Sequence, residues 1–499
     1  MMGMNRCVEK TIATVLLCLS AACSKDAGSV QAAERRPDVI VIVVDTLRND
    51  RMSVYGYPRP TTPFLEQWAK EGAVFEDVTT QFSWTMPSMV SMMTGRYLSE
   101  LMPVIPDDAP TLAEAFHSVG YRTLAVVSNV LVTSQAGFGR GFDEYDANPS
   151  KEERPKGKDR TRDLTELQED LWPALQRAMT PTPDGDRPPL FLYVHTFDAH
   201  QPFLEHPELE AELPVETATA VEPREWQAQE LARAGVLPKS ESDGWSVELG
   251  QLRAEGGLYD QEIRHTDDQL RLMFARLEQL GLLDNSIVAL VADHGEGLWE
   301  HVPPRSTKEH PKETPRDYFY GGHGQIQYQG VLATPFILRG VNVPPGVRAR
   351  EAVENVDLVP TLLELADVPT RGALHGRSLV PLLSGRGGPW REYVFSNSEP
   401  SKSVREVSSG LKLIVPNSRG QREGWSEQLF DLRNDPHERN DLAASRSADV
   451  ARLRGALDAW TAKHPTPIFK NARNTGPSPS ALDSLGYTGA DTGLDPRHQ

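Results

Sequence analysis

The sequence predicts an α/β fold in which a mostly parallel central sheet is flanked by helices, followed by a smaller C-terminal α+β subdomain. Three observations support this prediction. Short apolar runs of the buried-strand type recur along the chain, amphipathic helical patterns alternate with them, and the pattern changes after about residue 385. Alternation of strands and helices is typical of parallel sheets, because each parallel connection needs a crossover.

Five short apolar runs predict strands that are buried on both faces of the sheet. The first, residues 39–44, is an unbroken β-branched run that ends at Asp45. The others are residues 123–127, 189–194, 287–291 and 335–338. Asp293 follows the fourth run as closely as Asp45 follows the first. Because ligands of parallel sheets bind beyond the carboxyl ends of the strands, both carboxylates are expected at a binding edge.

Helical patterns lie between these runs. Residues 111–119 and 261–280 carry apolar side chains at helical spacing, and Gly281 closes the second helix as a C-terminal cap. After about residue 385 the chain changes to short strand-like segments, which predict the second subdomain. These segments are residues 393–395, 411–415 and 428–432.

The predicted organisation has five parts. They are a signal segment at residues 1–22, a polar tether at 23–36, the main α/β domain at 37–385, the small subdomain at 386–470 and an extended tail at 471–499. Charged or proline-rich insertions at 146–188, 204–256 and 301–320 interrupt the main domain, and the sequence leaves their role open. No internal repeat is found.

The charge balance excludes one class of partner. The chain carries 52 basic and 70 acidic side chains, a formal net charge of −18. Binding to a nucleic-acid backbone depends on clustered lysine and arginine, so the sequence predicts no nucleic-acid partner.

The first 23 residues predict export. Arg6 and Lys10 precede an apolar run at residues 11–19, and small residues follow before Cys23. The run is too short to span a bilayer as a helix. The segment resembles a bacterial lipoprotein signal, which implies a lipid on Cys23 and attachment to a bacterial membrane, facing the periplasm or the outside. An ordinary signal peptide is the alternative. Either way, Cys23 is the last cysteine of the chain, so structural disulfides are excluded from the domain that follows.

Residues 83–96 resemble the active-site segment of the sulfatases, which belong to the alkaline phosphatase superfamily. That segment reads Cys-x-Pro-Ser-Arg, then a short helix, then Thr-Gly-Lys or Thr-Gly-Arg. The chain keeps this frame at Pro87, Ser88, Thr94, Gly95 and Arg96, with a helix predicted over residues 87–93. Thr85 stands in the cysteine position and Met89 in the arginine position. A sulfatase cysteine is converted to formylglycine, and a threonine cannot become that aldehyde. The resemblance therefore implies a direct nucleophile at Thr85.

The same resemblance implies a metal site. Asp45 matches the first metal-binding aspartate of the family, although Thr46 stands where most sulfatases have a second one. Residues 292–296, Ala-Asp-His-Gly-Glu, match the family's later metal-binding step. Asp45, Thr85, Asp293 and His294 are therefore expected to hold one divalent cation. Oxygen and imidazole donors suit Ca²⁺, Mn²⁺, Mg²⁺ or Zn²⁺.

Histidines complete the predicted site. Residues 194–202 resemble the family's Asp-Pro-His-x-Pro segment, and His323 lies where relatives place a Lys or His that touches the anion. His200, His323 and Arg96 are expected to serve catalysis and, with Asp198, to bind substrate. A second cation at Asp198, His200 and His323 stays an alternative. His195, in the same segment, is given no role.

The resemblance covers roughly residues 37–445 and implies a metal-dependent hydrolase. The expected substrate is a small ester, or one derived from a glycan or lipid, with a phosphoric monoester, phosphoric diester or sulfuric ester group. The expected intermediate is a covalent ester of Thr85. Two alternatives remain open at this point: a transferase of phospho-alcohol head groups that uses the same threonine, and a non-catalytic binding lipoprotein.

Overall fold

An eight-stranded sheet forms the centre of the computed structural model. The part of the chain that the structure describes contains fourteen strands, in order β1 (Asp38–Val44), β2 (Gly72–Thr79), β3 (Arg122–Val127), β4 (Glu144–Asp146), β5 (Leu190–Thr196), β6 (Ser286–Val291), β7 (Gly297–His301), β8 (Tyr320–Gly322), β9 (Phe336–Gly340), β10 (Val347–Glu354), β11 (Tyr393–Asn397), β12 (Ser401–Glu406), β13 (Leu411–Pro416) and β14 (Gln428–Asp431). The central sheet has the order β10-β2-β9-β6-β1-β5-β3-β4, β7 pairs with β8, and β11 to β14 form a separate sheet.

The structure describes residues 35–98, 104–147, 162–183, 185, 187–215, 227, 230–231, 245–303, 318–385 and 390–464. The predicted signal segment, Cys23 and the predicted tail at 471–499 lie outside these residues, as do parts of the three insertions. No helix in the described ranges is long and apolar enough to cross a membrane.

Ten helices of four or more residues flank the strands within the described ranges. They are α1 (Pro63–Trp68), α2 (Thr85–Thr94), α3 (Leu112–His117), α4 (Leu164–Ala178), α5 (Trp245–Gln279), α6 (Gln329–Leu332), α7 (Leu358–Leu365), α8 (Val380–Leu383), α9 (Ser418–Arg422) and α10 (Ser447–Lys463). The expected helix at 261–280 is the C-terminal part of α5, and the expected helix at 87–93 begins two residues earlier, at Thr85.

The predicted fold class is confirmed. All five apolar runs are strands of the central sheet, and β1 pairs in parallel with β5 and β6 on its two sides. The run at 335–338 differs in direction, because β9 lies antiparallel to both β2 and β6. The sequence patterns missed β2 and β10, whose exposed or charged residues interrupt any apolar run.

The sheet is buried on both faces, as its β-branched strands predict. In β1, alternate side chains enter two different cores: Val39, Val41 and Val43 pack with α2, α3 and α7, whereas the even-numbered residues pack with α1, α4 and α5. Burial on both faces fixes the strand position and its register. The residue that follows β1 is thereby held at the carboxyl edge of the sheet.

The C-terminal subdomain is an antiparallel sheet with its own core. Strands β11 to β14 pair in sequence order, and α10 covers them through Leu453, Leu457 and Trp460. The three predicted strand segments correspond to β11, β13 and β14. The exact domain boundaries stay predictions.

Arg391 lies just before β11 and connects this subdomain to the main domain. Its Nη1 and Nη2 donate to both carboxylate oxygens of Asp357 at 2.5 and 2.6 Å, and its Nε lies 2.6 Å from Glu354. All three side chains are at most 4% exposed. Removing one member of a buried ion cluster leaves unpaired charge in a low dielectric.

Substitution of Arg391 should therefore destabilise the whole protein. We expect Arg391→Ala to lower the free energy of unfolding by about 3–5 kcal/mol, measured by urea denaturation. Arg350→Ala is the matched control, because this arginine is 86% exposed and pairs at the surface with Glu76. Its effect should stay within about 0.5 kcal/mol. Equal effects of the two substitutions would contradict the assignment.

Candidate active site

Two buried carboxylates stand at the carboxyl edge of the central sheet. Asp45 follows β1 and Asp293 follows β6, and the parallel register aligns Val43 with Val291, which brings the two side chains together. Both aspartates are completely buried. Oδ1 of Asp293 accepts the backbone N–H groups of Thr46 and His294 at 3.3 and 2.9 Å. Its Oδ2 has no hydrogen-bond partner among the described residues, and neither has Oδ1 of Asp45.

His195 completes this cluster from the neighbouring strand. It lies in β5 opposite Val43, and its Nε2 is 3.2 Å from Oδ2 of Asp45. One ligand atom each from Asp45, His195 and Asp293 lies within 4.8 Å of the others. Burial lowers the pKa of His195 to about 4, so the imidazole is neutral and able to act as a ligand.

Asn129 fixes the orientation of Asp45. Its side-chain amide donates to Oδ2 of Asp45 at 2.5 Å, while its own Oδ1 accepts the backbone N–H of Leu131 at 2.7 Å. Burial raises the pKa of Asp45 to about 8, a shift opposed by the Asn129 hydrogen bond. Burial, and then the charge of Asp45, raises the pKa of Asp293 to about 6.

This donor set fits a divalent cation. Two buried carboxylate oxygens have no hydrogen-bond partner within the described ranges, and a buried carboxylate costs several kcal/mol unless a positive charge or donor compensates it. Asp45, Asp293 and His195 would supply that cation with two oxygens and one nitrogen, which suits hard or borderline metals.

Thr85 lies beside these carboxylates at the first position of α2. Its hydroxyl is 3.1 Å from Nε2 of His294. That nitrogen is also 3.4 Å from Oδ2 of Asp293 and 4.0 Å from Oδ1 of Asp45. The Ser88 hydroxyl, one turn along α2, donates to the Asp293 carbonyl at 2.6 Å and so anchors the helix to the end of β6.

The N-terminus of α2 contributes positive potential at the same place. The first N–H groups of a helix have no intrahelical partner, and the peptide dipoles add a partial positive charge there. The helix ends ten residues later at Gly95, which takes the left-handed conformation with φ 64°. An anion bound at Thr85 would lie against this helix end.

The backbone carbonyl of the next residue holds His294 in one tautomer. Its Nδ1 lies 2.8 Å from the Gly295 carbonyl, so Nδ1 carries the proton and Nε2 is the acceptor for the Thr85 hydroxyl. Burial lowers the pKa of His294 to about 3, which keeps the ring neutral.

His200 and His323 lie next to this group. The ring of His323 is 4.4 Å from that of His294 and 4.9 Å from that of His200. Nδ1 of His323 is 3.0 Å from the carboxylate of Glu296, a buried side chain that the sequence analysis left without a role. Burial raises the pKa of Glu296 to about 7. The structure thus brings six predicted residues together: Asp45, Thr85, His200, Asp293, His294 and His323.

Two predicted residues are not brought to this group. Arg96 lies beyond the C-terminal end of α2, about 15 Å along the axis from Thr85, where it donates to Asp108 and to the Ala373 carbonyl. Asp198 accepts the backbone N–H of Leu164 at 2.9 Å and the Thr196 hydroxyl, so it holds the first turn of α4. These contacts do not support anion binding by Arg96 or a second cation at Asp198.

Comparison with known proteins assigns the family. The model described as Sulfatase matches residues 37–368, well over half of the chain. The chain belongs to the sulfatase family. The model of the C-terminal region of N-sulphoglucosamine sulphohydrolase also matches this chain, at residues 323–459. Family membership identifies the protein as an ester hydrolase, which goes against the alternative of a non-catalytic binding lipoprotein.

Proteins named for different activities are similar to this sulfatase-family chain. The multifunctional alkaline phosphatase superfamily protein PehA of Trinickia caryophylli is 25% identical, covering 82% of this chain and 91% of that protein. An arylsulfatase of Clostridium perfringens is 24% identical over the same shares of the two chains. The solved phosphonate monoester hydrolase of Silicibacter pomeroyi has a TM-score of 0.63 at 19% identity, covering 88% of this chain and 98% of that one.

Departures from the sulfatase pattern have visible consequences. The Thr46 hydroxyl donates to backbone carbonyls, including that of Ala199 at 2.8 Å, and so supplies no ligand carboxylate. Met89 is completely buried in the apolar core, and no charge stands at that position. His195 has no predicted role, because a histidine at the end of β5, beside Thr196, carries no local signal that separates a ligand from an ordinary hydrogen-bonding residue.

The contact between Asn129 and Asp45 predicts a measurable effect on the metal affinity of this sulfatase-family protein. Asn129→Ala removes the group that orients the ligand without removing the ligand. We expect metal affinity to fall about 10–100-fold, measured by titrating chelator-treated protein. Asn417→Ala removes the N-terminal cap of α9 in the C-terminal subdomain and should leave the metal affinity unchanged. An unchanged affinity in Asn129→Ala would contradict the orienting role.

Proposed function

We propose that this sulfatase-family protein hydrolyses phosphoric or sulfuric esters by two successive displacements at the phosphorus or sulfur atom. The Thr85 hydroxyl is the nucleophile of the first displacement. The observation that carries the proposal is the 3.1 Å contact between Thr85 Oγ1 and His294 Nε2, at a helix N-terminus and beside two unpartnered carboxylate oxygens. A hydroxyl with a neutral imidazole acceptor, aligned at an anion-binding helix end, is the arrangement that nucleophilic catalysis needs.

In the first displacement, Thr85 transfers its proton to Nε2 of His294 while its oxygen bonds to phosphorus or sulfur. The bond from that atom to the ester oxygen breaks, and the alcohol leaves with a proton from His200, because burial lowers the pKa of His323 to about 3 and keeps that ring neutral. Water then attacks the same atom and the bond to Thr85 breaks. The attacking water gives one proton to the histidine that protonated the leaving alcohol, and Thr85 regains its own proton from His294.

Asp45, His195 and Asp293 would hold one divalent cation beside Thr85 and His294. Such a cation would supply positive charge against the ester anion and lower the pKa of the threonine hydroxyl. The side chains themselves exclude water, since Asp45, His195 and Asp293 are completely buried.

Phosphorus esters are the preferred substrates in this proposal. A threonyl ester must be cleaved by direct attack of water, because threonine has no aldehyde hydrate through which to expel the anion. The phosphonate monoester hydrolase among the similar structures supports the same choice, whereas the arylsulfatase relative favours sulfate esters. The leaving group would be a small alcohol or one derived from a glycan or lipid.

A substrate panel tests the reaction class. Nitrophenyl esters of phosphate, a phosphodiester, a phosphonate and sulfate would be assayed with Ca²⁺, Mn²⁺, Mg²⁺ and Zn²⁺ in turn. We expect the highest kcat/KM with a phosphorus ester. A protein that hydrolyses only the sulfate ester would overturn the preference, and one that hydrolyses none with any metal would overturn the proposed function.

We also propose that the protein is exported and held at a bacterial membrane by a lipid on Cys23. The support is the basic, apolar and small-residue order that precedes this cysteine. Cells grown with labelled palmitate should label the wild type but not Cys23→Ala. Equal labelling of the two, or none of either, would reject the anchor.

A further inference from the structure

A second cluster of metal-ligand side chains lies outside the active site. His206 and Glu208 belong to the segment that follows His200, and His265 lies on α5. One ligand atom from each of His206, Glu208 and His265 lies within 4.8 Å of the others. None of these residues has a role in the proposed reaction.

We propose that His206, Glu208 and His265 bind a zinc ion and thereby tie the segment after His200 to α5. One distance agrees with a tetrahedral site: Nδ1 of His206 is 3.3 Å from Oε1 of Glu208. Two ligand atoms bonded to Zn²⁺ at 2.0–2.1 Å with a tetrahedral angle are separated by about 3.3 Å. The imidazole of His265 packs against that of His206, with ring centroids 4.4 Å apart and ring planes 20° apart, so its ring must rotate to bind the same ion.

Glu262 orients His206 for this role. Its Oε2 is 3.1 Å from Nε2 of His206, and its Oε1 accepts the backbone N–H of Leu204 at 2.6 Å. When Nε2 carries the proton and donates to Glu262, Nδ1 presents its lone pair toward Glu208. A carboxylate that fixes the remote nitrogen of a histidine is the usual support of a zinc ligand. Glu262 and His265 are three residues apart on α5, so they share one face of the helix.

The exposure of the side chains increases across the cluster from Glu262 to Glu208. The Glu262 side chain is completely buried, that of His206 is 11% exposed, and that of Glu208 is 64% exposed. The ion therefore has an entry path from solvent on the Glu208 side. Two imidazoles and one carboxylate are borderline donors that select Zn²⁺ over Ca²⁺ or Mg²⁺.

Zinc binding to chelator-treated full-length protein tests the site. We expect calorimetric titration with Zn²⁺ to show one equivalent fewer in His265→Ala than in the wild type. Glu208→Gln should bind that equivalent at least about tenfold more weakly. His437→Ala removes an exposed histidine elsewhere and should bind as many equivalents as the wild type. Asp293→Asn should keep this equivalent even where it loses the active-site metal.

Two controls keep the result interpretable. The metal-free Glu208→Gln variant should unfold at the same temperature as the metal-free wild type, because the Glu208 side chain is 64% exposed and its amide variant leaves the core intact. Tetrahedral cobalt absorption, measured with Co²⁺ in Asp293→Asn, should disappear in Asp293→Asn/His265→Ala. If His265→Ala and Glu208→Gln bind the same equivalents as the wild type with equal affinity, the cluster is only an ion pair of protonated His206 with its two glutamates.

Discussion

Replacing Thr85 with alanine should reduce kcat for ester hydrolysis by more than about 10³-fold, because the variant loses the atom that forms the proposed covalent intermediate. Thr85→Ser should retain a large part of the activity, since it keeps the hydroxyl 3.1 Å from His294. Steady-state rates on the best ester of the panel would measure both effects. Mass spectrometry of rapidly quenched protein should locate the phosphoryl or sulfuryl group on the peptide that contains Thr85.

A control on the same helix separates chemistry from folding. Ser91 is a completely buried residue of α2 whose hydroxyl has no hydrogen-bond partner among the described residues. Ser91→Ala therefore removes a hydroxyl from the same helix without breaking a bond, and its kcat should stay within about threefold of the wild type. The covalent mechanism fails if Thr85→Ala keeps wild-type rates.

Loss of a buried carboxylate should abolish both metal binding and activity. We expect Asp293→Asn to lose the active-site metal and to lower kcat by at least about 10²–10³-fold, because the charge that holds the cation against the substrate anion is gone. Elemental analysis of the purified protein would measure the metal. Metal added at 1,000 times its dissociation constant should stabilise the wild type by about 4 kcal/mol but give no such gain in the variant.

Asp267 supplies the matched control. It is another buried aspartate, and it accepts the backbone N–H groups of Phe64 and Leu65 at 2.8 and 2.9 Å, a purely structural task. Asp267→Asn should lower stability but leave the metal content unchanged. If Asp293→Asn retained the wild-type metal content at this site, the cluster of Asp45, His195 and Asp293 would not be the metal site.

The strands that position the site could be predicted from sequence because their signal is local. A β-branched run followed by an aspartate needs no partner to be recognised, and Asp45 and Asp293 were both placed at the carboxyl edge on that basis. Strands β2 and β10 were missed because their side chains are mixed. Their pairing in the sheet is stabilised by neighbours distant in the chain.

Residue roles were predicted less completely than residue positions. The motif at residues 83–96 predicted that Arg96 contacts the anion. The two ends of α2 lie far apart, however, and only its N-terminal end lies beside the two carboxylates. His195 and Asn129 were not assigned, because a single polar residue in or after a strand has no local pattern that separates a ligand from an ordinary hydrogen-bonding residue. Their distances to Asp45 depend on the sheet order.

The sequence by itself predicted the fold class and the residue proposed as the nucleophile. Unbroken apolar runs at residues 39–44, 189–194 and 287–291 predict a sheet covered on both faces, and the threonine at position 85 cannot be converted to formylglycine. Only the tertiary structure decided which side chains meet that threonine. Strand order and register place residues 45, 195 and 293 together although 248 positions separate the first from the last. The reason is physical: ligand geometry is set by long-range packing, which leaves no periodic trace in the local sequence.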